Sequence, residues 1–367
     1  MSKRLAPAAS MTAVLFSASI AGAQAPQASG AGRQATADAR SAKPEARKTW
    51  VVPKTPWGHP DLQGEWTSDS ARGIPRERPE QFAARAELTD QELAEREARD
   101  AQTIKNAVAA TGVQTGGRDG FWRGSQTFRQ TSLIVEPADG RMPPLTPEAQ
   151  ARATPRDRGS FGNGPFDSPE SFTLYDRCIT RGIVGGVLPV PYGNGNRILQ
   201  TPDAVVLTYE MIHDTRVIQL DGRAHIGPRI RQYLGDSRGH WEGNTLVVET
   251  TNFTDKTGLG GNGNGLPHSE AMRMVERFTR TASDVMQYSI RIDDPKTFTR
   301  PWTLSLPLVS PPGFQTLPYE CHEGNGAIKY ILAAERAEDK AIADDLKKGI
   351  VRPRKDPQNV INRAPEE

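Results

Sequence analysis

Between Ala204 and Leu308 the chain alternates apolar and polar residues with a period of two, and turn-forming tetrapeptides break the pattern at short intervals. Successive side chains of a strand point to opposite faces, so this alternation is the mark of half-buried β-strands. Strands are expected near Ala204 to Met211, Thr215 to Leu220, Asn244 to Thr251, Met272 to Thr281, Val285 to Ile292, Thr299 to Leu308 and Thr316 to His322. Their separators, IHDT, LDGR, WEGN, TASD and DDPKTF, carry the Gly, Asn and Asp that tight reversals need. Connections this short leave no room for crossover helices, so the expected class is mainly β: an antiparallel barrel or a sandwich. In GHWEGNTLVVETTNF, Leu246 and Val248 share one face and Val247 the other, which marks a central strand. His240 and Glu242 then fall at its leading turn, in solvent or on the rim of a pocket.

The ends of the chain have another character. Lys3 and Arg4 precede MTAVLFSASIAGA, an apolar stretch too short to cross a bilayer and followed by small residues, which is the layout of a secretory signal peptide. Cleavage after Ala23 or Ala25 fits the small-x-small rule, and Pro26 argues for Ala23. Residues 24–52 are polar and aperiodic and read as a disordered linker, followed by one β-rich domain over 53–333 and a C-terminal helix with a polar tail over 334–367. No later segment is apolar for long enough to form a membrane helix, so a soluble periplasmic or secreted protein, not inserted in the membrane after signal removal, is expected. A formal net charge of +2 gives no reason to invoke nucleic acid. Two cysteines, Cys178 and Cys321, in an exported chain predict a disulfide, with a metal-binding or nucleophilic thiol as the competing reading.

Ahead of the meander, Gly64-Glu65-Trp66 predicts a first strand and TSLIVEP a second, followed by a Pro-rich crossing. A surface helix is expected over about 89–111. Thr89 and Glu92 have capping-box spacing, Leu88 and Leu93 can staple across it, and Gly112 suits the stop. Glu92 with Arg96 and Glu95 with Arg99 are spaced as i,i+4 pairs on its wet side. The run GLGGNGNGLPHSE opens no amphipathic helix and so is no phosphate loop; it reads as a mobile loop able to act as a lid. AERAEDKAIADDLKKG predicts the short C-terminal helix.

The blocks PWGHPDLQGEW, SLIVEPADGRMPPLTPEA, GHWEGNTLVVETTNFTDKT, PHSEAMRMVERF and IDDPKTFTRPW resemble those of a widespread family of uncharacterised exported bacterial proteins. That resemblance implies export over a domain running from about Trp57 to Glu323 and brings no activity with it. Gly64-Glu65-Trp66 also resembles the G-x-W signature of lipocalin-like barrels, which implies a small-molecule chamber.

Candidate chemistry centres on AMRMVERFTR, where Glu276 shares a strand face with Met272, Met274 and Phe278. A carboxylate in that setting is either an unpaired general acid or base, or one half of a buried ion pair; Arg216, Arg223 and Arg291 are the candidate partners. Two functions follow. In the first, the barrel binds a small apolar or amphipathic molecule, with Trp66, Tyr209, Arg216, Trp241, Trp302 and Tyr319 as the lining. In the second it is a hydratase, isomerase or hydrolase using Glu276, with His268 or His240 beside it. Ser237 in LGDSRG lacks a nucleophile elbow, and the histidines lack metal-motif spacing, leaving His213, His225, His240 and His268 as ligands only if strands gather them. No metal is assigned and no cofactor is named.

Overall fold

Ten strands run in the order β1 (Gly64–Thr67), β3 (Gly195–Gln200), β4 (Ala204–Tyr209), β5 (Thr215–Gln219), β6 (Asp236–Glu242), β7 (Thr245–Thr251), β8 (Arg273–Arg280), β9 (Val285–Asp293), β10 (Trp302–Val309) and β2 (Ile134–Glu136). A pairing between Thr67 and Val309 joins β1 to β10 and closes nine of them into a barrel, leaving β2 outside on β10. The computed structural model describes residues 50–109, 126–152 and 166–353. The signal-peptide cleavage sites, most of the linker, the helix stop at Gly112 and the end of the tail lie outside them.

Alternation sets the architecture as expected. On β8 the inward residues are Met274, Glu276 and Phe278, on β9 Met286, Tyr288, Ile290 and Ile292, and on β10 Leu304, Leu306 and Leu308, all buried. They fill the interior as a continuous apolar core with Trp66, Leu207, Leu246 and Val248. The outward residues Thr303, Pro307 and Val309 of β10 are buried too, and the segment before β2 continues along the strand's edge: Leu133 accepts from the Ser305 N–H and Gln130 donates to the Ser305 carbonyl. Pro307, which has no N–H to give, falls in the interval between the β2 and β1 partners of β10.

One junction departs from the antiparallel expectation. β5 meets β6 in parallel through a single registered pair, Gln219 with Arg238, and the strands diverge from there. The barrel is therefore mixed. At the end where Trp66 sits, the Arg280 guanidinium lies over its ring at 5.3 Å and its indole N–H donates to the Leu62 carbonyl. The other end is plugged by the short helix α3 (Gly182–Val187), whose Ile183, Val184 and Val187 enter the core.

Several expectations are corrected. Thr316 to His322 is not a strand: the Thr316 and Leu317 N–H groups donate to the side chains of Glu65 and Glu210 and find no ladder. β3 and β6 are not among the expected strands, yet their backbones complete the ring. The Pro-rich crossing holds a short helix, α2 (Pro147–Arg152). The surface helix, α1 (Asp90–Ala109), has its capping box, with Thr89 N–H donating to Glu92 and Glu92 N–H to the Thr89 hydroxyl. Its Arg96 is not on the wet side: it is buried and donates to the Phe128 and Gln130 carbonyls, while Glu92 pairs with Arg85. The last helix, α4 (Ala327–Lys347), begins before the AERAED run, and Ile328, Ile331 and Leu332 pack on Phe166 and Phe172. Cys178 and Cys321 form the disulfide, closing a loop of sequence separation 143. In the chain-entropy model so long a loop stabilises by about 5 kcal/mol.

The glycine-rich run is docked rather than free. A Cβ on Gly185 of α3 would stand 2.1 Å from the Gly263 N, and one on Gly263 would stand 2.3 Å from the Arg181 carbonyl oxygen, so backbone meets backbone here. Gly185→Ala is expected to cost roughly 1–3 kcal/mol in urea unfolding, since neither backbone can yield cheaply. Gly227→Ala, where an added Cβ meets nothing within 4 Å, is expected to stay within about 0.5 kcal/mol.

Candidate functional site

The inward alternation of β5 and β8 puts Arg216 and Glu276 inside the barrel, both buried. Arg216 Nη1 donates to Glu276 Oε2 at 2.7 Å and Nη2 to Oε1 at 3.0 Å, a bidentate pair. Tyr288 on β9 adds a third bond, its hydroxyl donating to Oε1 at 2.7 Å. Burial alone would lower the Arg216 guanidinium, and the facing Glu276 carboxylate more than reverses this, so the arginine stays charged. Burial, then the Glu276 charge, pushes the Tyr288 phenol well above its ordinary range and keeps it a proton donor. Tyr209, at the inner end of β4, is also raised by burial, and its hydroxyl has no partner. Arg216 Nε likewise has none.

Where β5 and β6 diverge, the barrel wall opens into a cleft of about 860 Å³. Thr215, Arg216 and Val217 line one side and Asp236 and Ser237 the other, with Tyr233 and Leu234 over it. Its surface is mixed: Ile179, Val217 and Leu234 are apolar, while Asp214, Arg231 and Lys256 bring charge. Arg231 is engaged with Glu270 and Lys256 with Asp255. Burial raises the Asp214 carboxyl against the Thr180 hydroxyl and Arg181 N–H that donate to it. Ser237 bonds to the Thr250 hydroxyl at 3.0 Å, and His225 to Asp236 at 2.8 Å, so serine and imidazole are each committed elsewhere.

The candidates are dispersed. Arg216 alone among the expected lining residues borders this cleft. Trp66, Tyr209 and Trp302 are packed in the core, Trp302 edge-on to Phe298 at 5.4 Å. Trp241 lies half-buried beside His59 at the Trp66 end, and Tyr319 lies half-buried against Tyr192 at 6.3 Å. His240 is exposed and paired with Glu242 at 3.2 Å, on the outer surface of β6. His268 is buried away from Glu276, accepting or donating at 2.7 Å with the Thr257 hydroxyl and at 3.2 Å facing the Ser269 carbonyl. Among the described residues no group of three or more His, Cys, Asp or Glu is placed to hold a metal ion. Sequence reasoning missed Arg181 and Asp214; the one signal for Arg181 was a lone charge in the apolar, glycine-rich run CITRGIVGGV.

Removing one half of a buried pair strands the other. Arg216→Met and Glu276→Gln are each expected to cost about 3–5 kcal/mol in urea unfolding, and Arg216→Met with Glu276→Leu to recover most of it. His268 gives a pH signature. Its folded pKa is below 6.5 because burial disfavours the imidazolium, against the Ser269 carbonyl and the Asp294 charge. The unfolded chain then binds a proton the folded chain refuses, so stability is full above about 6.5 and falls as pH drops through that value. His268→Gln should flatten this limb of the melting-temperature profile. Comparison of the chain with protein-family models, with curated proteins and with solved structures gives no match.

Proposed function

We propose that the protein is an exported binding protein for a small amphipathic molecule, taken up laterally between β5 and β6. The observation that carries this reading is the 860 Å³ cleft at the parallel junction of β5 and β6, with the buried Arg216 in its wall. Its size suits a drug-sized ligand, and its mixture of aliphatic and charged lining suits one with an apolar body and a polar head. The packed core of the barrel favours this wall site over a central chamber of the lipocalin-like kind. The disulfide supports an oxidising compartment, and no described helix is long and apolar enough to cross a membrane.

The enzymatic alternative asks Glu276 to take or give a proton. Both of its oxygens are occupied, one by Arg216 and the other by Arg216 and Tyr288, which favours a structural carboxylate. Glu276→Gln in a background that remains folded should therefore keep ligand.

Binding can be read with anilinonaphthalene sulfonate, an amphipathic fluorophore. We expect one saturable site whose affinity falls at least tenfold in Val217→Trp, because Val217 is half exposed on the cleft wall and the larger ring fills it. The melting temperature of that variant should be unchanged. Equal binding by Val217→Trp, or no saturable binding by the wild type, overturns the reading.

A further inference from the structure

The two edges of β5 are used unequally. Along its length it is laddered to β4, and two bonds beyond the ends of that ladder fix the direction of its backbone groups. Tyr209 N–H donates to the Asp214 carbonyl at 2.9 Å, and Leu220 N–H to the Asp203 carbonyl at 2.8 Å. In an antiparallel pair, residues that bond to the partner alternate with residues that face away from it. Asp214, Arg216, Ile218 and Leu220 therefore turn their backbone groups to β4, while Thr215, Val217 and Gln219 turn theirs to the other edge, toward β6. Gln219 is met there by Arg238. Thr215 and Val217 are not: among the described residues nothing pairs with their N–H or C=O groups.

Two donors and two acceptors thus stand at two-residue spacing on the wall of the β5–β6 cleft, which Thr215 and Val217 line. The opposite wall has the same character. The two-residue turn at Gly243 and Asn244 makes Glu242 and Thr245 a hydrogen-bonded pair, so Ser237, five residues earlier, turns its backbone away from β7 and toward the cleft. An unpaired strand edge is a template for a further strand, because an extended chain presents donors and acceptors at the same spacing.

The side chains say what such a strand should carry. Val217 is in register with Val206 of β4, and Val206 with Leu199 of β3, an apolar row on the outer face of the sheet. Its two ends, Leu199 and Val217, are 50% and 49% exposed. An added strand would continue the row with an apolar residue opposite Val217, and would turn that residue's neighbours to the face of Arg216.

We propose that the β5–β6 cleft takes an extended peptide of alternating apolar and polar residues, which adds as a strand to the open edge of β5 at Thr215 and Val217. This rests on the reading of the cleft as the ligand site and names the class of its ligand.

The test uses the whole protein and the acetylated, amidated pentapeptide Lys-Val-Thr-Val-Lys. The amide proton resonances of Thr215 and Val217 should move downfield saturably and exchange more slowly, while that of Ile218, which faces β4, stays in place. Methylating alternate backbone nitrogens of the peptide tests the pairing. One set should weaken binding about tenfold or more and the other leave it: the valines if the peptide runs antiparallel to β5, the threonine if it runs parallel. Val217→Pro removes a cleft-facing N–H and none that bonds β4, so it should lose the peptide and keep its fold. If that variant fails to fold, the methylated peptides decide. Equal losses from both methylations overturn the proposal. Saturable anilinonaphthalene sulfonate binding with the Thr215 and Val217 amides unmoved by millimolar peptide overturns it too, and leaves the cleft as a small-molecule site; absence of both responses overturns both readings.

Discussion

A carboxylate sealed in an apolar barrel must be matched by a cation, and the Arg216–Glu276 pair meets that demand across the interior, from β5 to β8. The position of the pair matters as much as its charge. β5 is laddered to β4 along its whole length, but to β6 through one pair only. Where the missing ladder would leave β5 free to swing, its inward arginine is fastened to the far wall, and Tyr288 locks the acceptor. The cleft between β5 and β6 can therefore stay open without loosening the ring. A buried ion pair gives little net stability, but losing one half of it is costly, so the geometry is strongly enforced once formed.

Much of this was legible because alternation is a strong signal where both faces differ. β7 to β10 fall within a few residues of their expected bounds, and the same parity puts Arg216 and Glu276 on inward faces, so their pairing could be anticipated but not singled out from Arg223 and Arg291. Arg291 instead faces outward near Glu136, and Arg223 pairs with Asp221. The concealed strands, β3 and β6, begin with residues whose local preference is for turns: Gly195 and Asn196 in one, Asp236, Ser237 and Gly239 in the other. Tertiary pairing overrides that preference. Gly239 has a reason to be glycine, since a Cβ there would press on Ile218 and Leu220 at 2.8 Å, so the turn-like composition of β6 reflects close approach to β5.

Arg96 illustrates a second limit. Spacing on α1 offered it Glu92, and helix geometry permits that pair, but three-dimensional demand was greater: the Phe128 and Gln130 carbonyls take its donors. Glu92 is left to close the capping box and to meet Arg85. Local pairing rules predict which contacts are available, not which groups elsewhere need them.

The disulfide ties the C-terminal part of the chain to the segment that carries Arg181. Cys178 lies three residues from both Tyr175 and Arg181, and Cys321 two residues from Tyr319, so the bond brings together the cation and the phenols that neighbour it. None of these residues belongs to the barrel ladder, and no periodicity could have grouped them. The fold thus holds two deeply buried arginines, Arg216 and Arg181, whose charges act on Tyr209. One is neutralised by a carboxylate of the chain itself, which makes it architecture. The other donates from its side chain to a single carbonyl, that of Gly193, and so is tied to the backbone rather than to a second charge.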